Sequence, residues 1–184
     1  MFILASNSPR RKEILSSIME DFLIVPSNVD ERITHLKSSN LSSDLAKQKA
    51  YDVFARYPND VVLGCDTIVV FKGEIFNKPK DKEDARRMLR ALSGNHHVVL
   101  TSYTIISKDY EIAKTVRSDV IFNELSEDLI EKYISTGSPM DKAGAYGIQD
   151  DNFHLIKKIT GSINNVKGLP SETLMIDLKK LNII

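Results

Sequence analysis

Apolar residues in this chain fall into short runs and helical stripes, and the two patterns alternate. Positions 2–5 form a short apolar run that predicts a buried strand. Ser8-Pro9 then opens a helix through about residue 19, with Ile14, Leu15, Ile18 and Met19 as its apolar side. A second short strand is expected at 22–25. From about residue 41 to 57, Leu41, Leu45, Ala46, Ala50, Val53 and Tyr57 mark one broad face of a longer helix. Positions 61–71 are almost continuously apolar and rich in β-branched residues, the pattern of a buried strand, and Lys72-Gly73 follow as a tight turn. Asp81 is placed to cap a helix with Glu83 and Asp84 in its first turn, Ala85, Met88, Leu89 and Leu92 inward, and Gly94 as its stop. Further on, strands are expected at 97–106 and 112–122 around a polar turn at 107–111. They are followed by a helix from Ser126 to Thr136 ended by Gly137, a small-residue loop at 144–147, a strand at 154–160 and a terminal helix starting at Pro170. Helices alternate with strands and a hairpin comes after them, so the expected class is α/β with a mixed rather than purely parallel sheet. No linker, repeat or low-complexity tract interrupts the pattern, and 184 residues suit one domain spanning 1–184.

Composition narrows the function classes. Lys plus Arg equals Asp plus Glu at 25 each, which argues against a partner that is a nucleic-acid polymer, because such binding relies on a basic surplus. A small anion held by a few local cations remains compatible with that balance. The single cysteine, Cys65, excludes an intrachain disulfide and fits a reducing compartment. No run approaches the roughly 18 apolar residues of a membrane helix. The apolar start at residues 1–5 is too short for a signal peptide, so a cytoplasmic location and no membrane partner are expected.

The informative positions are polar residues where the pattern calls for apolar ones. Asp66 lies in the middle of the 61–71 run, and an unpaired buried carboxylate costs several kcal/mol, so it requires a cation, a metal or a proton. Alternation puts Gly64 on the same face, which predicts open space beside the carboxylate. Spacing alone leaves two readings, a functional carboxylate or an Asp at a bulge bonding backbone N–H groups. Lys49 projects within the apolar face of the 41–57 helix, either toward a site or along its stem to the surface. Arg10 and Arg11 follow Ser6-Asn7-Ser8-Pro9 at a helix N-terminus, where cations are disfavoured unless an anion joins them. Arginine is also the side chain best shaped for phosphate. Lys78-Pro79 and the stretch from Asp141-Lys142 to Gly147 add lysines beside backbone with little side-chain bulk. There is no P-loop and no glycine-rich dinucleotide fingerprint. His35, His96, His97 and His154 lack zinc-site spacing. Cys65 alternates to the face opposite Asp66 and reads as a small buried hydrophobe.

Together these segments resemble the Maf family. The resemblance is carried by Ile3 through Arg11 with Leu15, by Val29-Asp30-Glu31, and by Ala46-x-x-Lys49-Ala50 and Gly64-Cys65-Asp66-Thr67-Ile68-Val69. It continues through Lys78-Pro79, Leu92-Ser93-Gly94, Asp141 to Gln149 and Gly168-Leu169-Pro170. The matches occur in order over almost the whole chain. They imply an elongated mixed sheet flanked by helices, similar to inosine-triphosphate pyrophosphatase, with a cleft between two lobes. They also imply a divalent-metal-dependent nucleoside-triphosphate pyrophosphatase, often homodimeric, with magnesium preferred and manganese as the alternative. On that resemblance Asp66 is the catalytic acidic residue, the candidate general base, and, with Glu31, a metal ligand, either taking a proton from water or only holding the metal. Arg10, Lys49, Lys78 and Lys142 fall to the triphosphate, and Ser6 is a further substrate-binding residue. Arg11, Thr67 and Gln149 look like the set of the dTTP/UTP branch, where the 7-methyl-GTP branch has Trp, Gln and Glu. A nucleotide-binding regulator of septum formation is the rival class. The chain departs from the family pattern at Asn77, at Asp150-Asp151 and at Lys167.

Overall fold

A computed structural model of the chain describes residues 1–31 and 40–184. The strands are β1 (Phe2–Ala5), β2 (Leu23–Ile24), β3 (Val61–Phe71), β4 (Glu74–Phe76), β5 (His96–Ile106), β6 (Glu111–Phe122) and β7 (Ile156–Thr160). The helices are α1 (Pro9–Ser16), α2 (Leu41–Arg56), α3 (Lys82–Leu92), α4 (Glu127–Ser135), α5 (Ile163–Lys167) and α6 (Ser171–Lys180). The strands form one sheet in the order β2-β1-β3-β5-β6-β7, with β4 paired to β3. β1 runs parallel to β2 and β3 and the remaining pairings are antiparallel, so the sheet is mixed as expected. Among the described residues no helix is long and apolar enough to cross a membrane.

The helix signals act as their chemistry requires. Ser8, Asp81 and Ser126 accept hydrogen bonds from Arg11, Asp84 and Leu129 backbone N–H groups at the starts of α1, α3 and α4. Gly94 and Gly137 take positive φ just after α3 and α4, a conformation that costs glycine least. Two elements depart from expectation. β4 is a three-residue strand beyond the Lys72-Gly73 turn, and α5 is a five-residue helix within what reads as loop. Helix α1 also ends at Ser16 rather than near residue 19.

β3 organises the molecule, because both of its faces are covered. Leu63 and Cys65 pack with Leu4, Leu15, Tyr103 and Leu174 on one face. Val62 packs with Ala50 and Val53 of α2 on the other. Its edge toward β1 and β4 is less complete. β1 accompanies β3 only as far as the Ala5–Gly64 pair, and β4 joins at Val69–Phe76. Between them, among the described residues, β3 pairs with β5 alone, and this interval carries Asp66 and Thr67.

Gly64 corrects the sequence expectation. A Cβ built there would lie 2.3 Å from the Ala46 carbonyl oxygen and 2.6 Å from the Ala50 nitrogen. The glycine leaves no open space beside Asp66; it lets the backbone of α2 lie directly on β3. A methyl group at this position has to push helix from strand, and overpacking of this kind costs about 1–3 kcal/mol or more. Gly64→Ala is therefore expected to lower stability by at least that amount in urea unfolding. A variant as stable as the parent would show that α2 can move aside freely.

Candidate active site

The close approach of α2 to β3 sets the centre of the site. Lys49 is 6% exposed and Asp66 is 6% exposed, and the Lys49 Nζ donates to Asp66 Oδ1 at 2.7 Å. The same ammonium lies 2.7 Å from Glu31 Oε1. Lys49 thus does not run to the surface; it bridges two carboxylates. Burial raises the Asp66 carboxyl above its ordinary range, and Lys49 and Arg11 only partly oppose it. For Glu31 burial is again the largest single influence, but Lys49 and Lys78 together outweigh it and hold the group below its usual value. The Lys78 Nζ is 3.5 Å from Glu31 Oε2.

Asp66 faces a cleft of about 700 Å³. Its lining includes Ser6, Arg10, Arg11, Glu31, Lys49, Thr67, Lys78, Lys142 and Gln149, so all the sequence-predicted site residues border one space. A cavity of this size is within the range of small-molecule sites, about 300–1,000 Å³. Arg10 and Lys142 meet at Asp141, with contacts of 3.5 Å and 2.7 Å. Lys142 is 8% exposed and also donates to the Ser138 carbonyl and hydroxyl. Burial would lift the Asp141 carboxyl, but Lys142 and then Arg10 prevail and keep it below its ordinary value.

Arg11 is placed differently. Its Nε donates to the Gly168 carbonyl at 2.8 Å, one terminal nitrogen to Ser6 Oγ at 3.3 Å, and the other to Thr67 Oγ1 at 3.0 Å. Arg11 is therefore tied to the loop before α6 as well as to β3. Gln149 borders the same cleft on the segment after Gly147. That segment is fastened by Asp150, which accepts from Tyr133 Oη at 2.6 Å and Ser138 Oγ at 2.8 Å, while Tyr133 Oη accepts from the Gly147 N–H at 3.0 Å.

Asp141 and Asp150 were not singled out as functional side chains from sequence. Asp141 lies inside the Asp141-to-Gln149 motif beside Lys142, and Asp150 stands out only as a departure from the family pattern. Conversely, the described histidines, His96, His97 and His154, do not line the cleft. His97 is buried among Phe122 and Tyr146, and burial, with help from His96, pushes its pKa down to about 3, so it is a neutral core residue. His35 lies outside the described residues. Burial pushes the Cys65 thiol up to about 11, in keeping with an inert hydrophobe.

Among the described residues no group of three or more His, Cys, Asp or Glu side chains could hold a metal by itself. Two carboxylates meeting at one cation do suit magnesium, which commonly uses one or two carboxylates and completes its shell with water and substrate phosphates.

A family model described as Maf-like protein matches residues 1–181. The chain belongs to the Maf family. Among its relatives, a Pyrococcus horikoshii protein named dTTP/UTP pyrophosphatase is 45% identical over 98% of this chain and 96% of its own length. A protein of the same name from Acholeplasma laidlawii is 44% identical over 100% of this chain and 98% of its own. Among solved structures, the Staphylococcus aureus Ham1 protein superposes with a TM-score of 0.56 at 11% identity, covering 98% of both chains. At that identity the likeness is one of fold alone.

The Lys49 geometry sets a pH test. In Lys49→Met, Asp66 loses the cation that offsets its burial, which costs about 3–5 kcal/mol at neutral pH. Its folded pKa then climbs further above the unfolded value near 3.9. The folded state binds the extra proton between those two values, so the penalty is full above the folded pKa and fades as pH falls toward the unfolded one. Melting curves should show the gap between parent and variant narrowing from pH 8 to pH 5. A gap that is constant with pH would mean another cation takes over Asp66.

Proposed function

We propose that this Maf protein hydrolyses dTTP and UTP between the α- and β-phosphates, giving the nucleoside monophosphate and pyrophosphate. The observation that carries the reading is a buried carboxylate, Asp66, facing a cleft whose rim supplies Arg10, Lys78 and Lys142. The names of the relatives at 44–48% identity support the choice of nucleotide. Arg11, Thr67 and Gln149 border the cleft together, which supports the pyrimidine assignment over 7-methyl-GTP. A cationic 7-methylguanine ring beside the Arg11 guanidinium would meet like charge in a partly desolvated site.

In the reaction a water oxygen forms a bond to the α-phosphorus, the bond from that phosphorus to the bridging oxygen breaks, and pyrophosphate departs. The chain has to orient the water, carry off its proton and disperse charge on the phosphates. Asp66 suits the proton's acceptor, since burial makes it a stronger base than a solvated carboxylate. Arg10, Lys78 and Lys142 suit the phosphates, at the cost of loosening their present carboxylate partners. Glu31 and Asp66 would hold the magnesium or manganese ion, which when bound supplies charge neutralisation on phosphate oxygens. The single unpaired cysteine and a nucleotide substrate fit work in the cytoplasm.

The deciding assay offers UTP and dTTP with magnesium and separates the products. Monophosphate and pyrophosphate are expected, and none with a chelator present. A diphosphate with inorganic phosphate would overturn the reading, because that is cleavage of the other anhydride.

Asp66→Asn is expected to lower kcat on the order of 10²-fold or more. The folded-state pKa of Asp66 is raised, so its ionised form is disfavoured by folding, and the amide should leave thermal stability at neutral pH unchanged or higher. Retained kcat would move the chemistry to another carboxylate.

A further inference from the structure

The structure assigns Thr101, a residue buried behind the cleft, the task of fixing which way the Thr67 hydroxyl faces, and through it the reading of the base. This rests on the dTTP/UTP reading of the same cleft.

Thr67 and Thr101 are directly opposed in the β3–β5 pairing, with their hydroxyl oxygens 2.9 Å apart. Thr101 is fully buried, and its hydroxyl lies 2.8 Å from the backbone carbonyl of Asn165. A carbonyl can only accept, so Thr101 donates its one proton there. The proton between the two threonines must then come from Thr67. On its other side Thr67 accepts from Arg11, which can only donate, at 3.0 Å. The order Arg11 to Thr67 to Thr101 to Asn165 is thus forced by proton counting.

The far end of this relay is firmly placed. Asn165 is fully buried and its amide nitrogen donates to the Val99 carbonyl and the Ser118 hydroxyl, which pins α5 on the sheet. At the near end, Thr67 remains partly exposed on the cleft wall. Its proton is spent and one lone pair is taken, so it offers the cleft a single acceptor and no donor. An acceptor complements the ring N3–H that uracil and thymine share. The corresponding cytosine nitrogen is itself an acceptor, and the two lone pairs repel.

Thr101→Val keeps the shape and removes the relay. The Asn165 carbonyl retains the Gly168 N–H at 3.1 Å, so the backbone there is not orphaned. The freed Thr67 proton can then turn into the cleft and serve cytosine. Thr101→Ser keeps the hydroxyl, and Thr101→Ala is a second hydroxyl-free form should the valine not fold. The readout is kcat/KM for UTP divided by that for CTP. It is expected to fall about tenfold in the valine or alanine form, the scale of one hydrogen bond, and to stay within about twofold in the serine form. An unchanged ratio in the hydroxyl-free forms overturns the relay. So does a parallel loss on both nucleotides, which a purely structural role would give. If the parent fails to release pyrophosphate from UTP, it is the pyrophosphatase reading that falls. UMP and CMP binding by calorimetry then still decides the relay, which is overturned if Thr101→Val leaves their affinity ratio unchanged.

Discussion

A carboxylate inside a sheet has to be matched by charge at its own depth, and Asp66 is matched by Lys49 at 2.7 Å. Much of the surrounding architecture can be traced to that requirement. A lysine delivers its ammonium to the middle of a sheet only if the helix that carries it lies close, and Gly64 lets α2 rest on the β3 backbone. Apart from Ser42, the other buried residues of that helix are apolar, so Lys49 is held by packing along its stem while its head reaches the cleft wall. Glu31 then finds the other side of the same ammonium. Burial still leaves Asp66 above the usual carboxylate range, so the pairing tempers the cost of placing a carboxylate there without removing it.

Strand lengths position the cleft as much as side chains do. β1 stops at Ala5 and β4 reaches along β3 only as far as Val69, so one edge of β3 is released from pairing where Asp66 and Thr67 sit. The chain leaving β1 turns into α1, which brings Ser6, Arg10 and Arg11 to that opening. The segment after α4 brings Asp141, Lys142 and Gln149 to the other wall. Site residues widely separated in sequence meet because two short strands leave a gap between them.

What could be read from sequence follows from how local each signal is. The central strand, the capped helices and the hairpin rest on periodicity and on caps within a few residues, and they were legible. β4 was not, because three residues after a turn carry too little pattern. α5 was missed because Asn164-Asn165 looks like loop until Asn165 is seen buried against β5 and β6. The out-of-place Asp66 and Lys49 were visible singly, since each broke an apolar pattern. That they pair depends on helix-to-strand distance, which Gly64 sets, and Gly64 alone suggested empty space instead. The Thr67–Thr101 contact depends on the register of β3 against β5, set across 34 residues with β4 and α3 between the strands, which composition does not reveal.

Arg10, Lys49, Lys78 and Lys142 each already touch a carboxylate of this same chain. A polyanion entering the cleft therefore swaps one set of partners for another instead of quenching bare positive charge. Such an exchange gains less free energy than filling an open cationic pocket. It also makes the reverse step easier, because Asp141 and Glu31 stand ready to reclaim their cations as the anion departs. A cleft wired in this way trades tight grip for turnover, and it does so without giving the protein any net positive charge.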